Sequence, residues 1–212
     1  QRGHVTAWSE IATEHSTSMR FTEALAANQR AIDLAERLPQ RNEAELQTFY
    51  ANRGVALQQA GDLTAAALAL GRAADIAERT SGADFKTAWV PRAKHARTLH
   101  LSGDRGAALP LFEALMARMP GPEASTPDAS TVREDFGERL AAEGRPELGI
   151  PLLRAALAGF QQKANFEFDQ RRCRRNLGDA LARAGQMAEA RRVLALSLTD
   201  YEAHDPPASQ PL

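Results

Sequence analysis

The sequence predicts an all-α fold, a solenoid of about five helix–turn–helix repeats, from its turns, its spacing and its composition. Glycines that can end a helix stand at 61, 103, 144 and 185, so successive turns are 42, 41 and 41 residues apart. Each glycine precedes a run rich in small and apolar residues, such as LTAAALALGRAA after Gly61. Aromatic residues make up only 6% of the chain, a balance that favours helix over strand. A fixed period of this length is typical of stacked helix pairs.

The first repeat lacks the turn glycine but keeps the pattern that follows it. Stepping back 42 residues from Gly61 leads to Met19, in STSMRFTEAL. This segment supplies a fifth turn, and the chain is predicted to hold five repeats in one domain over 4–203, followed by a disordered tail at 204–212. The repeats are predicted at 4–38, 42–80, 84–119, 129–163 and 166–203.

Each repeat is predicted to be a first helix, a turn and a second helix. The glycine can adopt the left-handed conformation that ends a helix, and Asp62 and Asp104 can cap the helix that follows. Pro146 suits a first helical turn, where its missing N–H costs little. The segment PGPEASTPDAS at 120–130 is predicted to be a loop. The first helices are predicted at 4–18, 42–60, 84–102, 129–143 and 166–184, and the second helices at 21–38, 63–80, 105–119, 146–163 and 187–203.

Small residues recur at two fixed distances from each turn, seven residues before it and five residues after it. Larger apolar residues stand one helical turn away from them in most repeats. Small side chains let two helices approach closely, and the larger ones fill the flanking space. The structural repeat positions predicted on this basis, with the turn glycines, are Gly54, Gly61, Ala66, Ala96, Gly103, Ala108, Gly137, Gly144, Gly178, Gly185 and Ala190.

This order of small residue, large residue, turn, small residue and large residue resembles the tetratricopeptide repeat (TPR). The W-x₂-L-G-x₂-Y signature of that family is loosely matched by Trp8, Ile11 and Ala12, and its A-x₃-F signature by Ala108 and Phe112. The usual TPR unit has about 34 residues. The longer period here resembles the long-helix variant of kinesin light chains and of bacterial signalling proteins. The resemblance implies a right-handed solenoid.

The resemblance also implies a function, because in this family the first helices of successive repeats line a groove that commonly holds a peptide. The chain is therefore expected to be a protein- or peptide-binding interaction or sensor module. Because it begins with Gln1 rather than Met, it is interpreted as a fragment of a longer protein or a processed chain. The resemblance and the composition rich in alanine and arginine suggest that the parent is a bacterial regulatory protein. Glu134 and Asp135 are expected to interrupt the positive charge of the groove. The predicted groove residues are Asn52, Gln58, Gln59, Lys94, Arg97, His100, Glu138, Arg175, Asn176 and Arg183.

The sequence offers no recognisable catalytic or metal-binding motif, so neither enzyme activity nor a cofactor or metal is expected. It contains no phosphate-binding loop and no H-E-x-x-H, and His95 and His100 are too far apart in sequence to share a helix face. It has no apolar run long enough to span a bilayer. The single cysteine, Cys173, fits a reducing compartment, and a cytoplasmic location is expected.

Two alternatives to peptide binding remain open at the C-terminal end. Leu194, Leu196 and Leu198 give the last helix more apolar surface than one covered side needs, so homodimerisation through 187–203 is one alternative. The run RRCRR at 171–175 suggests nucleic-acid binding as the other. That binding is disfavoured, because 26 basic and 27 acidic residues balance over the whole chain. Within the run, Cys173 either fills a gap between helices or is activated by its neighbours.

Overall fold

The structure, a computed structural model, describes residues 2–81, 85–119, 126–162 and 165–204. Within these ranges it contains ten α-helices, one short 3₁₀ helix and no strand, so the prediction of an all-α fold is confirmed. The chain forms two compact units, Gln1–Arg118 (unit 1) and Met119–Leu212 (unit 2). None of the described helices is both long and apolar enough to cross a membrane. The single domain over 4–203 remains a prediction.

The helices follow one another in pairs, three pairs in unit 1 and two in unit 2. Nine helices begin and end within two residues of the predicted bounds. Unit 1 contains α1 (Arg2–Thr17), α2 (Phe21–Glu36), α3 (Glu43–Gln59), α4 (Leu63–Ser81), α5 (Trp89–Leu101) and α6 (Arg105–Arg118). Unit 2 contains α7 (Pro127–Ala142), α8 (Pro146–Gln161), α9 (Glu167–Arg183) and α10 (Met187–His204).

The predicted start of α5 is wrong and that of α7 is two residues late, and a proline explains each difference. The α5 helix begins at Trp89 rather than at 84, because Pro91 belongs in a first turn, and Phe85–Ala88 form the 3₁₀ helix. The α7 helix begins at Pro127, inside the loop predicted at 120–130, and Thr126 caps it by accepting a hydrogen bond from the Ala129 N–H. Residues 120–125, and the predicted tail apart from its first residue, lie outside the described residues. That first residue, His204, ends α10.

All five turns have the same backbone conformation. Gly61, Gly103, Gly144 and Gly185 have φ angles of 84°, 95°, 79° and 76°. At each turn the N–H of the next residue donates to the carbonyl five residues back, the Schellman arrangement that satisfies the end of a helix. Met19, at φ 57°, occupies the same place in the first pair, and the N–H of Arg20 donates to the carbonyl of His15 at 2.9 Å. The structure therefore places the first turn where the period predicts it.

The caps predicted for the second helices are also present. The carboxylate of Asp62 accepts a hydrogen bond from the N–H of Ala65 at 3.0 Å, and that of Asp104 accepts one from the N–H of Ala107 at 3.1 Å. Pro146 is the first residue of α8. Each turn thus ends one helix and starts the next with residues that the repeat supplies locally.

The small repeat positions lie where two helices of a pair come closest. A β-carbon added at Gly149 would lie 2.4 Å from the carbonyl oxygen of Gly137, so α7 and α8 pass each other almost backbone to backbone. A β-carbon at Gly54 would lie 2.5 Å from Cγ of Leu70, and one at Gly178 would lie equally close to Leu194. At Gly149 the neighbour is a backbone atom and only glycine leaves room for it, whereas at Gly54 and Gly178 a leucine side chain occupies the space. The alanine repeat positions are all buried: Ala66, Ala96, Ala108 and Ala190.

Each unit has its own apolar core. In unit 1, Val5, Ile32, Leu46, Phe49 and Ile76 form one buried cluster. In unit 2, the largest members of the cluster between α8 and α9 are Ile150, Leu153, Phe160, Leu177 and Leu181. The helix pairs are thereby held rigidly enough to present fixed surfaces.

Candidate peptide-binding surface

The predicted groove residues of unit 1 lie on α3 and α5. Asn52 and Gln59 of α3 and Lys94 and Arg97 of α5 are exposed, whereas His100 is half-buried. Their exposure leaves these polar groups of α3 and α5 accessible to a partner.

Gln58 has a structural role that the sequence did not indicate. Its amide donates to the hydroxyl of Thr98 at 2.7 Å, and that hydroxyl donates to the carbonyl of Lys94 at 2.7 Å. Gln59, one residue further, accepts a hydrogen bond from the hydroxyl of Ser16 at 3.2 Å. Gln58 thus ties α3 to α5, and Gln59 ties α3 to α1.

A pocket of about 150 Å³ opens between α1 and α3, with α2 beneath it. Five of its seven lining residues have polar side chains, three with hydroxyls and two asparagines. Its lining consists of Ala12, Thr13, Ser16, Thr17, Asn28, Asn52 and Val55. Of the predicted groove residues, Asn52 is the one that it includes.

Asn28 is the unusual residue of this pocket. Its side chain is 2% exposed, and among the described residues its Oδ1 accepts no hydrogen bond. A buried carbonyl oxygen without a donor costs about 1–3 kcal/mol. The equivalent residues nine after the other turns are all apolar: Leu70, Phe112, Leu153 and Leu194. Asn28 occupies a position at which the repeat pattern predicts a larger apolar residue, and its polarity there was the signal that could have identified it.

The predicted groove residues of unit 2 divide into exposed and structural groups. Arg175 and Arg183 are exposed, and Glu138 is half-buried beside Arg139, at 3.0 Å. Asn176, in contrast, is buried, and its amide donates to Oε1 of Glu134 at 3.0 Å. Asn176 therefore helps to join α9 to α7.

Glu134 was expected to carry exposed negative charge in the groove, and this expectation is wrong. Its side chain is buried and accepts hydrogen bonds from Nε and Nη2 of Arg172 at 3.0 and 2.7 Å. Burial raises the pKa of the Glu134 carboxyl, and the hydrogen bonds from Arg172 oppose that rise. The same carboxylate raises the pKa of the Arg172 guanidinium, which stays charged. This ion pair between a buried glutamate and a half-buried arginine joins α7 to α9 and leaves Glu134 inaccessible to a partner.

Most residues of the RRCRR run are partly or fully buried and contact neighbouring residues. Arg172 is held by Glu134 and by Asp169, at 2.9 Å from the latter, and Arg171 and Arg174 are also engaged and partly buried. Cys173 is fully buried, and burial raises the pKa of its thiol. Its Sγ lies 3.4 Å from the carbonyl oxygen of Leu153. This environment supports the interpretation of Cys173 as a gap filler, and Arg175 is the exposed residue of the run.

A larger pocket of unit 1, about 630 Å³ in volume, is lined by charged residues of both signs. Arg92 pairs with Asp75 at 3.2 Å and with Glu78, and Glu43 pairs with Arg79 at 3.3 Å and with Arg41 at 3.5 Å. These charges largely satisfy one another, so the pocket is better explained as an ion-pair network joining α3, α4 and α5. Among the described residues, no group of three or more His, Cys, Asp or Glu side chains is placed to hold a metal ion.

The model of the tetratricopeptide repeat family matches residues 47–85, which run from α3 through α4 to the start of the 3₁₀ helix. Residues 47–85 therefore match a tetratricopeptide repeat. The other helix pairs share the turn of the matched pair, and the last two pairs also share its close packing at glycine. The comparison with curated proteins returned no match.

Three solved structures share this TPR fold at low sequence identity. BtubC (BKLC) from P. vanneervenii is 16% identical with a TM-score of 0.78, over 98% of this chain and 84% of that one. A putative kinesin light chain from Podosopora anserina with nearly identical TPR-like repeats is 17% identical with a TM-score of 0.72, over 97% and 99%. The Rap conjugation gene regulator of the plasmid pLS20, in complex with the Phr* peptide, is 15% identical with a TM-score of 0.68, over 94% of this chain and 53% of the regulator.

Proposed function

We propose that this chain is a peptide-binding module that holds an extended segment of another protein against the first helices of unit 1. The observation that carries the proposal is Asn28, a buried residue of the pocket wall whose Oδ1 has no donor among the described residues. Asn28 lowers the free energy of unfolding at a position where the other repeats have an apolar side chain. Such a cost is typical of functional sites.

The pocket has the hydrogen-bonding groups that a peptide backbone requires. Asn28 places a carboxamide in the pocket wall, and the exposed amide of Asn52 can donate and accept at once. The hydroxyls of Thr13 and Thr17 donate to carbonyls of their own helix at 3.0 and 2.9 Å, so their oxygens keep lone pairs for a peptide N–H. These groups lie on rigid helices, so little ordering energy is lost on binding.

Lys94 and Arg97 extend the proposed contact to α5. Both are exposed cations, and an acidic side chain or a terminal carboxylate of the peptide would pair with them. The bound segment would therefore combine a backbone held at the Asn28 pocket with negative charge beside α5.

The wider role proposed is that of an interaction or sensor module in a larger, cytoplasmic bacterial regulatory protein. The Rap regulator supports it, because that protein shares the fold and is seen with a peptide. The long repeat period, which resembles bacterial signalling TPR proteins, also supports it.

The test begins with a displayed library of random twelve-residue peptides selected on the 212-residue chain. The best selected peptide is then titrated by calorimetry into the wild-type chain, Asn52→Ala and Asn28→Leu. We expect Asn52→Ala to weaken binding at least tenfold, since it removes both a donor and an acceptor. Asn28→Leu should abolish binding because leucine fills the pocket.

Asn28→Leu also provides a check on folding. Its circular dichroism spectrum and thermal melt should show a folded chain, since the substitution removes a buried acceptor that has no donor. Gln29→Ala, an exposed neighbour on α2, is the matched control and should bind as the wild type does. Wild-type affinity in both pocket variants, or a library that yields no binder, would overturn the proposal.

A further inference from the structure

The last helix pair leaves uncovered a surface that the other pairs bury. Residues nine and twelve after the turn are buried in the first four pairs, for example Leu70 with Ala73 and Leu153 with Ala156. In α10 the equivalent Leu194 and Ser197 are half-buried, and Leu198, one residue further, is 58% exposed. Among the described residues, therefore, no helix covers this side of α10.

A pocket of about 500 Å³ lies at this place, between α9 and α10. Its apolar wall consists of Phe168, Leu194 and Leu198, and Arg175 stands exposed on its rim. Phe168 is itself 66% exposed. An apolar wall with a cation on its rim fits an amphipathic helix that carries a carboxylate.

The preceding pair shows which helix fits such a surface. There α9 packs on α7 and α8, with Cys173 against the carbonyl of Leu153 and Asn176 bonded to Glu134. One period of 41 residues later, Leu194 is equivalent to Leu153 and Arg175 is equivalent to Glu134. A helix bound to the last pair would thus meet an arginine where α9 meets a glutamate. It needs a carboxylate at the position of Asn176.

The first helix of this chain has that carboxylate. Aligned on the turns at Met19 and Gly185, the position of Asn176 corresponds to Glu10 of α1. The positions of Cys173 and Leu177 correspond to Ala7 and Ile11. Ala7, Glu10 and Ile11 are exposed, whereas their α9 equivalents are buried. The α1 helix therefore exposes the face with which α9 packs on the pair before it.

We propose that α1 of one copy docks on the α9–α10 pocket of a second copy, with Glu10 paired to Arg175. The contact joins two different surfaces, so it is head-to-tail rather than two-fold symmetric. Ala7 and Ile11 lie against Leu194 and the neighbouring apolar wall.

A second charge pair follows from the bond between Gln58 and Thr98. In the proposed contact, the position of Gln58 corresponds to Ala182 and the position of Thr98 corresponds to Glu14, counted from their own turns. Glu14 then lies beside Arg183, and both residues are exposed. Two acids on α1 thus face two arginines on α9, which gives the association both its register and its sensitivity to salt.

Charge reversal tests the contact from both sides. Sedimentation velocity of the 212-residue chain, from about 5 to 200 μM in low salt, should show association that weakens in 0.5 M salt. Arg175→Glu and Glu10→Arg should each weaken self-association at least tenfold, because each places like charges together. Mixed in equal amounts, the two variants should associate again, since every contact between unlike chains then joins opposite charges.

Two controls separate this contact from other causes. Arg105→Glu makes the same change of charge at an exposed site on α6 and should associate as the wild type does. Asn52→Ala, which tests peptide binding, should also leave association unchanged, so the two proposals can fail independently. A wild-type chain that stays monomeric at 200 μM, single variants that associate like the wild type, or a mixture that stays monomeric would each overturn the proposal.

Discussion

The close approach of α7 and α8 makes Gly149→Ala the sharpest test of the packing. The added β-carbon would lie 2.4 Å from the carbonyl oxygen of Gly137 and 3.2 Å from the backbone nitrogen of Ala141. Both neighbours are backbone atoms, so no side-chain rotation relieves the clash. The two helices must separate, and the fully buried Leu153 loses contacts when they do.

The expected cost follows from two opposing terms. Overpacking costs roughly 1–3 kcal/mol, and a clash between backbones belongs at the upper end of that range. Alanine in place of glycine inside a helix regains about 1 kcal/mol. The net loss of unfolding free energy is therefore about 2 kcal/mol, which lowers the melting temperature by about 4–8 °C in a chain of this size.

Gly178→Ala provides the matched comparison. The three atoms nearest to its β-carbon all belong to the side chain of Leu194, which is half-buried and borders the pocket between α9 and α10. Leu194 can turn away, so this variant should keep its stability to within about 1 kcal/mol. Urea unfolding followed by circular dichroism at 222 nm measures both. Equal stability of Gly149→Ala and wild type, or a larger loss in Gly178→Ala than in Gly149→Ala, would refute the packing argument.

Two further predictions concern a turn and a half-buried histidine. Met19→Gly should raise the free energy of unfolding, measured in urea, by about 0.5–1 kcal/mol, because Met19 is exposed and has a left-handed φ that glycine adopts without strain. Gly185→Met should lower it for the converse reason. A change of the same sign in both variants would contradict a shared turn conformation. Burial, and the nearby charge of Arg92, lower the pKa of His95 in the folded chain. The unfolded chain therefore binds a proton at His95 more readily, and the free energy of unfolding should fall as the pH drops below about 6.5. His95→Gln should flatten that fall between pH 7 and 5, and an unchanged slope would show that His95 does not contribute.

The helices and turns were predictable because their determinants are local. Glycine at a helix end, aspartate one residue later and proline in a first turn act within a few residues of the chain. The strict period even places the turn at Met19, where the usual residue is missing. The errors at α5 and α7 have the same local origin, since Pro91 and Pro127 were not taken as first-turn residues.

The binding surface was less predictable because it depends on partners far apart in the sequence. Glu134 and Asn176 looked like groove residues until the structure placed Arg172 and Asn176 on the Glu134 carboxylate. Gln58 was equally misleading, since its partner Thr98 lies 40 residues away. Asn28 shows the reverse case, because its significance lies in a missing hydrogen bond that the sequence could suggest but not demonstrate.

The most direct test of the peptide-binding account follows the side-chain amides of Asn28 and Asn52 by nuclear magnetic resonance. A ¹⁵N-labelled chain is titrated with the peptide selected from the library, and ¹H–¹⁵N correlation spectra are recorded at each step. We expect these two side-chain amides to shift most, together with backbone amides of α1 and α3 around the pocket. Unmoved Asn28 and Asn52 signals, with the largest shifts elsewhere in the chain, would contradict the account.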